Sequence, residues 1–195
     1  MPEVAGFKPS VFPALATDKV RFVGECVAAC LAPSRAGAED LAQLVELDIE
    51  PLPAVVEARA AMRPGTPLVH DAWGDNLFIE KEFGGGDIDR AAAEARVRIE
   101  RRYLMNRQAG VPMEGRAALA TYDPRLDELV LWCSTQFPHQ IRSGMAQFLG
   151  IEERKLHRIA PDVGGGFGTN NRLYPEELMV VALALKLKKP VRFPY

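Results

Sequence analysis

A glycine-rich stretch, Gly164-Gly165-Gly166-Phe167-Gly168, stands between an apolar, strand-like segment and a helix-like one. Glycine permits positive φ and lets a ligand reach the main chain with no Cβ in the way. Bare N–H groups ahead of a helix suit an anion. The stretch therefore permits a phosphate or cofactor cradle, and equally an ordinary turn. It lacks the Gly-Lys-Ser/Thr ending of a P-loop and is not followed by a dinucleotide-type unit. Upstream, Ser134-Thr135-Gln136 closes an apolar strand just before Pro138. That puts a side-chain amide at a strand's C-terminal edge, where sites are commonly built. Gln136 could as well be a loop amide bonding local backbone. A third stretch, "GVPMEGRAALATYDP", carries Arg116.

The elements around these stretches follow from periodicity and punctuation. "AALATYDP" and "ELVLWCST" flank "DPRLD" and predict a hairpin with a proline-containing turn. "PHQIRSGMAQFLG" predicts an amphipathic helix burying Ile141, Met145 and Phe148, opened by Pro138 and stopped by Gly150. "RKLHRIA" is the strand that delivers the glycine loop. "PEELMVVALALKLKK" is a helix with Glu176 and Glu177 in its first turn and lysines in its last, both favoured by the macrodipole. "PVRFPY" starts another strand. Earlier, "KVRFVGECVAACLA" reads as a long strand, Ser34 as the cap of a helix over "RAGAEDLAQL", and "VELDIEPLPAVV" as a strand stopped by Pro51 and Pro53. "RPGTPLVHDAWGDN" has linker chemistry and places a boundary near residues 63–76, with His70 an exposed loop histidine. Beyond it come a strand from Leu77, a helix capped by Asp87, and an alternating strand over "VRIERRYLMNRQ" with Val97 and Ile99 on one face.

The composition is that of a globular protein: 195 residues, 48% apolar, 26% charged, net charge -2. No single-sign charge run points to nucleic acid, and no apolar stretch reaches membrane-spanning length. The cysteines are Cys26, Cys30 and Cys133. Four residues apart on a strand, Cys26 and Cys30 share a face but cannot bond. Three thiols cannot hold a four-cysteine iron–sulfur cluster. All three are expected to be buried small apolar residues. An odd count with no visible signal peptide fits a reducing cytoplasm.

"MEGR", "STQFPHQIR" and "PDVGGGFG", in this order and spacing, resemble the molybdopterin-binding large subunit of the xanthine dehydrogenase, aldehyde oxidase and carbon monoxide dehydrogenase family. The segment from Asp18 to Val56 resembles the small α/β hammerhead domain that precedes the cofactor domain there. The likeness covers residues 13–193. It implies an α+β architecture: residues 1–70 a partial hammerhead domain, residues 76–195 the first part of a larger mixed molybdenum-cofactor domain. It implies that Gln136 approaches an oxygen ligand of the molybdenum. Gly165, Gly166, Phe167 and Gly168 would pack against the molybdenum end of the cofactor, with Phe167 bordering the substrate cavity. Arg116 would be a structural or pocket residue. No side chain of this chain is expected to ligate the metal.

The implied chemistry is hydroxylation of a carbon centre with oxygen from water, at molybdopterin in its cytosine dinucleotide form. Electrons would leave through 2Fe-2S clusters to FAD. These groups are expected on an iron–sulfur small subunit and an FAD-binding medium subunit in a hetero-oligomer. The substrate would be a small organic molecule. The pattern departs from the family at Gly115, where proline is common, and at "TNN", where Asn171 stands near a position that holds a substrate-contacting acid in some relatives. The chain is expected to be an internal section of a larger subunit, inactive alone. The alternatives are a non-catalytic remnant or assembly module, or a stand-alone phosphate-binding module using the glycine loop.

Overall fold

The computed structural model describes residues 6–8 and 13–194. The chain divides into two compact units, one of Met1–Ser10 with Pro51–Ala109 and one of Val11–Glu50 with Gly110–Tyr195. The regular elements begin with helix α1 (Arg35–Gln43), whose N-cap Ser34 accepts a hydrogen bond from Gly37 N at 3.1 Å. The one-turn helix α2 (Ala58–Ala61), a 3-10 turn over Asp71–Trp73 and helix α3 (Ile88–Glu94) follow. Asp87 caps α3 through Arg90 N at 2.8 Å.

In the first unit, Asn76 organises the loop before it. Its side chain accepts from Val69 N at 2.9 Å and donates to the carbonyls of Pro67 and Ala61. Trp73 stacks on Phe78, with ring centroids 5.6 Å apart. His70 is half-buried rather than exposed, because its ring stacks on Trp73 at 4.1 Å. The segment from Leu77, expected to be a strand, forms a single bridge between Ile79 and Phe7.

The second unit holds the sheet. Strands β1 (Ala117–Asp123) and β2 (Glu128–Cys133) form the expected hairpin, in register from Ala118↔Cys133 to Asp123↔Glu128. Helix α4 (Pro138–Leu149) returns the chain to β3 (Leu156–Ile159), which lies parallel to β2. Helix α5 (Pro175–Leu187) and β4 (Val191–Pro194) complete a four-stranded mixed sheet of order β3-β2-β1-β4. Burial alternates along β1 and β2, so one face of the sheet is covered. Ala120, Leu131, Leu156, Met145, Val181 and Ala184 meet there with almost no exposure, which seats both helices on that face. Truncating Leu131 to alanine would cost about 2–5 kcal/mol.

Several sequence expectations fail for one physical reason. "KVRFVGECVAACLA", "VELDIEPLPAVV" and residues 97–108 form no strands among the described residues. A strand needs a ladder partner for its N–H and C=O groups, and apolar alternation alone supplies none. Val23 is fully exposed, and Ile99, Tyr103 and Met105 are largely so. Cys26 and Cys30 are consequently half-buried, not buried, whereas Cys133 is buried and its thiol is pushed up to about 12 by burial. All three cysteines are free thiols. Phe148 is also exposed, and Leu149 and Ile151 pack against the core at that end of α4 instead.

Candidate functional site

Sheet topology brings the three motif stretches to one edge. Trp132 on β2 pairs with Ile159 on the parallel β3, so both strands leave the sheet on the same side. Ser134-Thr135-Gln136 follows the first, and the glycine loop follows the second. β1 runs antiparallel and enters at that edge, with Ala118 opposite Cys133. Residues 113–116 immediately precede it. The loop then passes into the N-terminus of α5.

The stretches touch closely. A Cβ added to Gly166 would lie 2.5 Å from Cδ and 2.6 Å from Oε1 of Gln136. One added to Gly164 would lie 2.6 Å from Cβ of Glu114, and one on Gly165 would meet Pro112 and the Phe167 ring at 3.2 and 3.1 Å. Gln136 Oε1 accepts from Gly168 N at 3.1 Å, and Gln136 N donates to the Asn170 carbonyl at 2.8 Å. Glu114 bridges the other pair: it accepts from Ser134 Oγ at 2.7 Å and from Gly164 N. The Ser134 hydroxyl, and then the Gly164 N–H, hold its carboxyl below the ordinary glutamate range.

The loop closes on itself. Thr169 N donates to the Gly166 carbonyl at 2.7 Å, with Phe167 at φ 48° and Gly168 at φ 86° between them. Two central residues at positive φ mark a type I′ turn. Glycine adopts this freely, but Phe167 does so at a cost. Phe167 is 74% exposed. Gly165 also has positive φ, at 115°.

Behind the loop lies a charged clamp. Arg116 ion-pairs through Nη2 with Glu176 Oε1, and its guanidinium stacks on Tyr174 at 3.5 Å from the ring centroid. The Tyr174 hydroxyl donates to the Thr169 carbonyl. Beside it, Arg158 and Glu177 are buried 4.0 Å apart. Burial raises the Glu177 carboxyl, opposed by Arg158.

A family profile described as the molybdopterin cofactor-binding domain matches residues 69–195. The chain belongs to this family. The chain is 39% identical to the nicotine 6-hydroxylase large subunit of Paenarthrobacter nicotinovorans, over 96% of this chain and 23% of that one. Against the carbon monoxide dehydrogenase large chain of Afipia carboxidovorans it is 34% identical, over 99% of this chain and 25% of that one. The crystal structure of quinoline 2-oxidoreductase from Pseudomonas putida 86 superposes with a TM-score of 0.91 at 37% identity, covering 99% of this chain and 24% of that one. The chain thus spans about a quarter of the length of the curated relatives it matches.

The residues present fit a molybdopterin cofactor through their free donors. Among the described residues, the backbone N–H groups of Gly165, Gly166 and Phe167 donate to nothing, and neither does Gln136 Nε2. The Gly168 N–H identifies which end of the Gln136 amide is oxygen. Four donors in one glycine-lined place suit negatively charged oxygen atoms. No group of three metal-ligating side chains occurs among the described residues.

The structure brings Gln136 together with Gly165, Gly166, Phe167 and Gly168, while Arg116 sits behind the loop on Glu176 and Tyr174. Asn171 is exposed, whereas its neighbour Asn170 is buried. Sequence reasoning missed Glu114, Asn170 and Tyr174 as loop-shaping residues. The only signal was Glu114's place inside "MEGR". No helix of the described residues is long and apolar enough to cross a membrane.

Proposed function

We propose that this chain forms one wall of a molybdenum-cofactor site in the large subunit of an oxidoreductase that hydroxylates a carbon of a small organic molecule with oxygen from water. The observation that carries this reading is the seating of Gln136 on Gly166, with Gln136 Nε2 and three loop N–H groups left without partners. When bound, the cofactor, expected in its cytosine dinucleotide form, supplies the redox chemistry. Gln136 donates through Nε2 and adds no net charge, while the Gly168 N–H holds its other end. The N–H groups of Gly165, Gly166 and Phe167 bind negatively charged oxygen. The exposed Phe167 ring borders the substrate cavity. Arg116 holds the loop from behind.

The names of two relatives, a nicotine 6-hydroxylase and a quinoline 2-oxidoreductase, make aromatic nitrogen heterocycles the first substrates to test. Names such as "large chain" and "complex subunit gamma" support a hetero-oligomer. Its other members would be an iron–sulfur small subunit and an FAD-binding medium subunit, in the cytoplasm. The test is to purify the complete subunit with its partners, measure molybdenum, and assay quinoline and nicotine. Gln136→Ala should lower turnover about 100-fold, as loss of one oriented donor does. A complex without molybdenum, or full turnover in the variant, would overturn the reading.

A further inference from the structure

The loop's carbonyls are as informative as its free N–H groups. Asn170 Nδ2 donates to the Gly165 carbonyl at 3.2 Å. Thr169 donates twice to the Gly166 carbonyl, from N at 2.7 Å and from Oγ1 at 2.6 Å. All peptides here are trans, so each N–H points opposite to the carbonyl of its own peptide. Turning two successive carbonyls toward Asn170 and Thr169 therefore turns the N–H groups of Gly166 and Phe167 away from them. These two N–H groups have no partner among the described residues.

Asn170 is committed to this task. It is 2% exposed, and its Oδ1 has no partner among the described residues. A buried acceptor left unsatisfied costs about 1–3 kcal/mol. An apolar residue would avoid that cost, so the site keeps the amide for what Nδ2 does. The Asn170 carbonyl also accepts from Gln136 N and from Thr135 Oγ1 at 3.2 Å, which joins the two halves of the site. Three agents thus orient the wall's donors: Asn170 the Gly166 N–H, Thr169 the Phe167 N–H, and Gly168 the Gln136 amide.

We propose that Thr169 and Asn170 are positioning residues that turn the Gly165–Gly166 and Gly166–Phe167 peptides so that both N–H groups face the bound cofactor. The orientation is a property of this chain, while the purpose rests on the molybdenum-site reading.

Two measurements on the complete subunit test it. The first is a crystal structure without cofactor. Asn170→Ala should let the Gly165 carbonyl turn from its wild-type direction, and Thr169→Val should loosen the Gly166 carbonyl where Thr169→Ser does not. This arm does not depend on the function reading. The second is amide hydrogen exchange with and without cofactor in the assembled complex. Protection gained at Phe167 on loading should fall about tenfold in Thr169→Val, the size of one lost hydrogen bond, and return in Thr169→Ser. The loss should be confined to this amide and spare Gly166, with kcat about tenfold lower and KM unchanged. Carbonyls that keep their direction in Asn170→Ala, or unchanged protection in a Thr169→Val complex that holds molybdenum, would overturn the inference. A wild-type complex without molybdenum would instead overturn the function reading, and the first arm would still decide the orientation.

Discussion

A Cβ placed on Gly166 would lie 2.5 Å from Cδ of Gln136. The contact ties the strand end that carries the amide to the loop that carries the free N–H groups, across 30 positions of sequence. Gly166→Ala therefore cannot be accommodated without displacing Gln136. Overpacking of this kind costs about 1–3 kcal/mol. We expect a lower Tm, together with molybdenum content reduced at least as much as by Gln136→Ala. Thermal melts and metal analysis of the complete subunit check both.

The clamp behind the loop predicts an asymmetry. Arg116→Ala removes the cation from the Glu176 carboxylate, which is 7% exposed. Removing one partner of a buried ion pair costs about 3–5 kcal/mol, and partial exposure of Arg116 places this case at the lower end. Glu176→Gln strands no buried carboxylate and should cost less. Denaturant unfolding of the two variants measures the difference. Equal losses would mean that the ion pair is not what holds Tyr174 and the loop.

Glu114 gives the fold a pH dependence of known sign. Its folded value is lowered by Ser134 and Gly164, relative to an ordinary value of 4.5. A depressed carboxyl contributes stability that is present above its unfolded value and is lost as pH falls through the folded one. Glu114→Gln should therefore flatten the loss of Tm as pH drops below 4.5. An unchanged profile would show that the bridge to Ser134 and Gly164 does not form.

Arg158 is buried with Nε, Nη1 and Nη2 lacking hydrogen-bond partners among the described residues, and Glu177 is its nearest carboxylate at 4.0 Å. Such a pair adds little, because desolvation offsets the attraction. Arg158→Met alone should destabilise by stranding Glu177. Arg158→Met with Glu177→Leu should recover most of that loss. A double-mutant cycle by chemical denaturation gives the coupling.

The hairpin, helices α4 and α5 and the glycine loop were legible in the sequence because their signals are local. "DPRLD", Pro138, Gly150 and Pro175 punctuate elements whose periodicity agrees with them. The expected strands at residues 19–32 and 97–108 were not found, because alternation describes side chains and not the ladder partner a strand requires. The cysteines show the same limit: Cys133 lies on a paired strand and is buried, while Cys26 and Cys30 do not and are half-buried. The site was legible where a family motif marked it, at Gln136 and Gly165–Gly168. Its supports were not. Arg116 meets Glu176 across 60 positions, and Asn170 meets Thr135 across 35. Such pairs follow from the sheet order, which brings β1, β2 and β3 to one edge.

The most direct test of the cofactor wall is a crystal structure of the complete, cofactor-loaded subunit, with molybdenum located by its anomalous scattering. One molybdenum peak is expected beside Gln136, with the N–H groups of Gly166 and Phe167 turned toward its oxygen ligands. A molybdenum peak away from both Gln136 and the Gly165–Gly168 loop would contradict it.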